Sequence, residues 1–124
     1  MNEHDVKQYI TDSYFISEDR PFEKHPDTVV YRHPYNKKWF AIVMPVTKRR
    51  LGVDADGSFY IMNVKTSIDV ITSFIYETGF FPAYHMNKLH WISVLLPDAP
   101  DDVVQFLVNV SFEATKAKRK RGNK

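Results

Sequence analysis

A short stretch near residue 88 holds the densest group of chemically active side chains in the sequence. It comprises His85, Asn87, Lys88, His90 and Trp91. Imidazole, amide and ammonium groups donate hydrogen bonds to anions and nucleotide edges, and an indole can stack on a planar group. These residues are therefore candidates for binding a ligand or a nucleic acid. The alternative is structural, with Trp91 opening a buried strand while His85 and Asn87 tie down the backbone of a loop.

The same residues do not form a recognisable catalytic or metal site. General acid–base catalysis needs a partner group and a pocket besides a histidine. The sequence has neither a G-x-S-x-G nucleophile motif nor a phosphate-binding G-x-x-x-x-G-K-[ST] loop. His85 and His90 are five residues apart in a predicted loop, not four apart on a helix, and the chain has no cysteine. We therefore expect a protein that is not an enzyme and that holds no metal and no cofactor.

Basic residues form clusters that are candidates for contact with phosphate groups. Residues 1–115 contain all 15 acidic residues and 11 basic ones, a formal net charge of −4, whereas the last nine residues contain six basic residues and no acid. Such a tail attracts nucleic acid without sequence specificity, and a solvated tail is the alternative. Two further basic clusters, at 37–38 and 48–50, flank the strand predicted at 39–46. At about 3.3 Å per residue they lie about 30 Å apart. The alternative is that these basic residues keep the ends of the sheet soluble. The phosphate-contact candidates are Lys37, Lys38, Lys48, Arg49, Arg50, Lys118, Arg119, Lys120 and Arg121.

The length of the chain sets the domain organisation. Its 124 residues, 44% of them hydrophobic, suffice for one compact domain and are too few for two. We expect a single domain over residues 1–115 and a basic C-terminal tail over 116–124 that is disordered or extends the last helix. No apolar run approaches about 18 residues, and the first residues lack a basic segment followed by an apolar core. We therefore expect a cytoplasmic protein, with the monomer favoured.

Hydrophobic periodicity predicts three helices and about five strands. The helices are predicted over 3–17, from 66 onwards, and after Asp98. The last helix is expected to bury a face made of Val103, Phe106, Leu107, Val110 and Ala114. The strands are predicted over 28–33, 39–46, 50–53, 58–65 and 91–95. The order α-β-β-β-β-α-β-α with short turns favours an α+β two-layer sandwich, in which an antiparallel sheet carries the helices on one face.

The segment 83–94 resembles the MmcQ/YjbR family of small bacterial proteins, in which a His-Met/Leu-Asn-Lys-x-His-Trp segment precedes the last strand. Residues 19–22 (DRPF), 64–67 (VKTS) and 100–102 (PDD) also resemble the pattern of that family, so the resemblance covers about residues 3–115. It implies a frataxin-like (CyaY-like) α+β fold and an association with DNA binding.

Two functional hypotheses follow. The first is weak, salt-sensitive DNA binding through the sheet, the stretch near residue 88 and the basic tail. The second is a non-enzymatic binding module for a small anionic ligand or a protein partner, built around the same stretch, which predicts a concave site. A membrane is not expected as a partner, because the tail lacks a lipidation signal and an apolar helix face.

Overall fold

The computed structural model of the protein describes residues 1–117. Its five strands form one antiparallel sheet in the order β1-β2-β3-β5-β4. The strands are β1 Val29–Arg32, β2 Trp39–Thr47, β3 Ser58–Lys65, β4 Phe80–Pro82 and β5 Trp91–Leu95. The helices are α1 Glu3–Tyr14, α2 Ile68–Phe74 and α3 Asp101–Thr115. All three helices pack against one face of the sheet, which confirms the predicted α+β sandwich.

Two local assignments differ in kind from the sequence prediction, and α1 ends at Tyr14, before the predicted end at residue 17. Residues 50–53, expected to form a strand, lie in and just after a 3-10 helix at Lys48–Leu51. The Arg49 guanidinium bonds to Asp54 at 2.7 Å and to Asp56 at 3.1 Å, which folds this connection back on itself. The fifth strand is β4, which follows α2 in a segment expected to be a loop. Its three residues are too few to show an alternating pattern.

The third helix begins at Asp101 and buries a different face from the expected one. Phe106, predicted to point inward, is 49% exposed. The hydroxyl of Ser111 is buried, donates to the carbonyl of Phe40 at 2.6 Å and accepts from the amide of Lys65 at 2.8 Å. Polar side chains therefore belong to the inner face, and an apolar pattern alone mislocates it. The buried residues of α3 are Val104, Leu107, Val108, Ser111 and Thr115.

The opposite face of the sheet is also apolar. Alternate residues of the strands point to this side, because successive side chains of a strand face opposite ways. No α-helix within residues 1–117 covers it; the segments around residues 22–28 and 83–86 and the 3-10 helix lie over it instead. The side chains on this face include Val30, Ile42, Val46, Ile61, Trp91 and Leu95.

In the described part of the chain, no helix combines the length and the apolarity needed to cross a membrane.

Candidate ligand-binding groove

The loop between β4 and β5 is held by hydrogen bonds to itself and contains four of the five predicted ligand-binding residues. The carbonyl of Asn87 accepts from the amide of Trp91 at 2.9 Å, and its side-chain oxygen accepts from the amide of Leu89 at 2.8 Å. The ammonium of Lys88 donates to the carbonyl of Ala83 at 3.1 Å. Asn87 and Lys88 therefore satisfy backbone groups of the loop, whatever else they bind.

The rings of this stretch point in different directions. Trp91 is 9% exposed and packs beside Ile42 on the sheet. His85 and His90 are exposed. The ring of His85 lies against that of Tyr84, with 4.1 Å between their centroids. Of the five predicted ligand contacts, His85 lines the groove described next, and binding by any of the five stays a prediction.

A groove of about 360 Å³ lies on the sheet face opposite the helices. Its base includes side chains of β2 and β3, and two aromatic pairs border it. In one pair the rings of Phe22 and Trp39 meet edge to face, 6.0 Å apart at 89°. In the other, Tyr84 packs on His85. The remaining residues that line the groove are His25, Thr28, Ile42, Met44, Arg50, Asn63 and Met86.

A buried polar network fixes Tyr84 at the edge of this groove. Asn63 of β3 and Ser93 of β5 are direct cross-strand partners, 1% and 0% exposed. The Ser93 hydroxyl donates to the Asn63 side-chain oxygen and accepts from the amide of Tyr84 at 2.8 Å. The Asn63 amide donates to the carbonyl of Tyr84 at 3.0 Å. Both backbone polar groups of Tyr84 are thereby anchored to the middle of the sheet.

The segment that carries Phe22 and His25 is fastened to β1. The backbone of Asp19 exchanges two hydrogen bonds of 2.8 Å with that of Val30. The guanidinium of Arg20 then donates to the carbonyl of Pro26, which closes the segment into a compact turn. These contacts hold Phe22 over the start of β2.

Arg50 is the charged side chain among the described residues that line the groove. It is exposed, and its guanidinium donates to the hydroxyl of Tyr84 at 3.1 Å. An arginine is charged at neutral pH, and this hydrogen bond raises the pKa of Arg50 further above its ordinary value. His25 and His85 add two imidazoles, and no Asp or Glu is among the described residues that line the groove. Within residues 1–117, no three His, Asp or Glu side chains come together as metal ligands.

The basic cluster at 48–50 does not form one patch. The Lys48 ammonium lies 4.7 Å from the ring centroid of Phe59, Arg49 is bonded to two aspartates, and Arg50 faces the groove. The contact of these residues with phosphate stays a prediction.

The turn between β1 and β2 carries the other described cluster. Lys37 and Lys38 are exposed, and the side chain of Asn36 donates to the carbonyl of Thr115 at 2.9 Å. The turn thus lies beside the C-terminal end of α3. The other candidates, Lys118, Arg119, Lys120 and Arg121, lie outside the described residues.

Several residues at the groove were not predicted as site residues. Phe22 belongs to the DRPF segment noted for its family resemblance, and Tyr84 precedes His85 directly. Asn63 interrupts an otherwise apolar strand, which is a signal that a buried hydrogen-bonding partner exists. Trp39 and His25 gave no separate signal, because only the folded chain brings them together.

Comparisons with known proteins give a family model, a curated relative and solved structures of the same fold. The family model YjbR matches residues 12–114. The chain is 33% identical over 117 residues to the uncharacterized protein YyaQ of Bacillus subtilis (strain 168), covering 94% of this chain and 99% of YyaQ. A crystal structure of a Pseudomonas syringae protein superposes with a TM-score of 0.91 at 34% identity, covering 94% of this chain and 100% of that one. Deinococcus radiodurans protein DR2400 shares the fold at 18% identity, with a TM-score of 0.71 and coverage of 98% and 83%.

Proposed function

The chain belongs to the YjbR family, and we propose that its domain is a non-enzymatic binding module that takes a small anionic ligand in the groove. The observation that carries this proposal is the groove itself, about 360 Å³, bordered by aromatic rings and by the guanidinium of Arg50. Ligand sites are typically concave and mostly apolar, with a few fixed polar groups. This groove has that composition.

The charge of the groove favours an anion. Arg50 reaches its edge together with two imidazoles, whereas the described body of the protein is acidic overall. A cationic hollow in an acidic protein attracts anions locally, since nearby charges act more strongly than distant ones. The wall formed by Tyr84 is fixed before any ligand binds, which lowers the entropy cost of binding.

Binding without catalysis is favoured by the environment of the two imidazoles. Neither His25 nor His85 is hydrogen-bonded to a carboxylate or a hydroxyl nucleophile in residues 1–117. A general base normally has a partner that orients it. The groove therefore offers recognition groups and no assembled catalytic pair.

A matched pair of arginine variants tests the proposal. Arg50→Gln removes the charge at the groove, and Arg49→Gln makes the same change next to it, at a side chain bonded to Asp54 and Asp56. Anionic compounds are screened by thermal shift, because a ligand of the folded state raises stability by about 2.7 kcal/mol at 100 times its Kd. Loss of a charge-assisted hydrogen bond of about 1.5–3 kcal/mol weakens binding about 10- to 100-fold. We expect this loss in Arg50→Gln and not in Arg49→Gln.

Fluorescence of Trp39 locates the binding event. A ligand in the groove should change the emission of the wild type, and that change should vanish in Trp39→Phe because the other tryptophan, Trp91, does not line the groove. Equal binding by the two arginine variants, or a fluorescence change that persists in Trp39→Phe, would exclude the groove.

A second candidate function is weak binding of DNA at the C-terminal end of α3. The hydrogen bond from Asn36 to Thr115 brings Lys37 and Lys38 beside the end of this helix. The basic sequence 116–124 continues from that point. Lys37 and Lys38 thus lie beside the helix end after which the sequence becomes basic, which favours contact with a phosphate backbone.

Fluorescence anisotropy with random duplex DNA between 50 and 200 mM salt tests this candidate. The double variant Lys37→Gln/Lys38→Gln should reduce the slope of log K against log salt by about 2, at about 0.9 for each phosphate contact. The control Lys48→Gln/Arg49→Gln removes the same charge at the other end of β2 and should leave the slope unchanged. Lack of binding at 50 mM salt, or equal binding by an isolated 116–124 peptide, would remove the claim for the domain.

A further inference from the structure

A second hollow of about 310 Å³ adjoins the groove. Arg50, Tyr84 and His85 line both, so the side chain of Tyr84 lies between the two spaces. Lys88 and Phe81 line only the second. The two hollows are therefore parts of one continuous concave surface around Tyr84.

The second hollow concentrates positive charge. The charges of Arg50 and Lys88 face it beside the imidazole of His85, and no acidic side chain is among the lining residues that the structure describes. Arg50 forms no ion pair with an Asp or Glu of residues 1–117, unlike Arg49 next to it. Lys88 uses one of its three ammonium hydrogens on the carbonyl of Ala83, which leaves two for a ligand.

The first hollow differs from the second in being aromatic and apolar. Phe22 and Trp39 present ring surfaces there, and the sulfur side chains of Met44 and Met86 line the same space. Flat rings and methionine sulfur are favourable neighbours for a planar aromatic group. An inorganic anion would leave this part of the surface unused.

We propose that the two hollows bind the two parts of one ligand, an aromatic ring in the groove and a carboxylate or phosphate group in the hollow of Arg50, His85 and Lys88. This inference rests on the proposed binding function and specifies its ligand class. Tyr84 lies where the two parts join, and its hydroxyl is already oriented by Arg50. The ring of such a ligand would make apolar contacts, and its anionic group would fix the orientation of the ligand. A ligand that carries both parts should therefore bind more tightly than either part alone.

Six probes separate the contributions. Indole-3-acetate and phenyl phosphate carry both parts, indole and phenol carry a ring alone, and acetate and inorganic phosphate carry an anion alone. Isothermal calorimetry with the full chain should give each aryl anion a Kd below 1 mM and at least tenfold below that of its ring or its anion alone. The comparison of indole-3-acetate with phenyl phosphate shows which anion fits better.

Variants assign the two parts to the two hollows. Lys88→Gln should weaken the aryl anions about three- to tenfold and leave indole unchanged, and Trp39→Leu should weaken aryl anions and indole alike. Lys7→Gln is the matched control, since Lys7 lies on α1, near the ring of Tyr60 and away from both hollows. Melting temperatures measured without ligand show whether a variant acts through folding.

Failure of this inference differs from failure of the proposed function. If acetate or phosphate binds as tightly as the aryl anions and Arg50→Gln still weakens that binding, the site binds anions and the proposed aromatic contact is excluded. If Lys88→Gln and Lys7→Gln bind the aryl anions with equal affinity, only the role of the second hollow is excluded. Lack of measurable binding by both aryl anions at 1 mM overturns this inference, and lack of any Arg50-dependent anion binding overturns the function on which it rests.

Discussion

Replacement of Ser93 by alanine should destabilise the protein far more than loss of one surface hydroxyl. Within residues 1–117, the Ser93 hydroxyl is the only hydrogen-bond partner of two groups, the backbone amide of Tyr84 and the side-chain oxygen of Asn63. Each buried polar group that loses its partner costs about 1–3 kcal/mol. Because the two costs overlap, we expect about 2–4 kcal/mol in total.

This range corresponds to a measurable fall in melting temperature. An unfolding entropy of about 2.1 cal/mol/K per residue gives roughly 260 cal/mol/K for this chain, so each kcal/mol shifts Tm by about 4 °C. Ser93→Ala should therefore melt roughly 8–15 °C below the wild type, as followed by circular dichroism, and its urea midpoint should fall in proportion.

The control is Ser73→Ala, which removes a hydroxyl from the exposed side of α2. It should change stability by less than about 0.5 kcal/mol, as surface substitutions usually do. A Ser93→Ala protein as stable as Ser73→Ala would refute the assignment of the network as the anchor of Tyr84. If the anchor is real, Ser93→Ala should also bind aryl anions more weakly at a temperature where it is fully folded.

Two further predictions concern stability. Burial lowers the pKa of His33 from its ordinary 6.5, so the unfolded chain takes up a proton at a higher pH than the folded protein does. Stability is therefore lost as the pH falls from 6.5 to the pKa of the folded state. The loss is about 1.4 kcal/mol for each unit by which folding lowers the pKa. Urea midpoints between pH 8 and 5 should show this loss in the wild type and not in His33→Gln, and parallel curves would contradict it. Gly79→Ala should lower the free energy of unfolding in urea by about 1 kcal/mol more than Gly52→Ala does. Both glycines have left-handed φ values, but only at Gly79 would the new methyl group contact backbone, 3.1 Å from the nitrogen of Ala99. Equal losses of stability would show that the backbone at Ala99 moves to admit the methyl group.

Secondary structure with a strong local cause was predictable. Helix α1 begins at the predicted residue 3, where Asn2 and Asp5 cap it reciprocally, and β3 has the predicted bounds, residues 58–65. The inner face of α3 was not predictable from hydrophobicity, because Ser111 is buried by hydrogen bonds to β2 and β3. These bonds depend on the tertiary fold, and a helix on its own does not reveal them.

The groove shows a similar division between local and tertiary information. The residue types of the stretch near residue 88 predict a binding site, and His85 does line the groove. Trp91, the most conspicuous side chain of that stretch, is instead buried in the sheet. The aromatic wall at Phe22 and Trp39 comes from segments 17 residues apart, and β1 lies between them in the sequence. No spacing rule links two such residues, since their meeting depends on how the segment before β1 folds over the sheet.

The buried polar pair of Asn63 and Ser93 indicates that the position of Tyr84 is important for binding. The two residues face each other in the middle strands, surrounded by apolar neighbours. Replacing both members of a buried hydrogen-bonded pair by apolar groups of similar shape is often neutral or stabilising, so the bond between the two side chains is not itself needed for stability. Their remaining bonds go to the backbone of Tyr84, which lies at the surface and contributes one half-buried ring. If folding depends on these backbone bonds, Asn63→Leu/Ser93→Ala should lose both stability and binding in step. If the pair serves to hold Tyr84 between the two hollows, the double variant should recover part of the stability lost in Ser93→Ala, because no buried side-chain oxygen is left without a partner and the surface backbone of Tyr84 can bond to water. It should still bind aryl anions poorly.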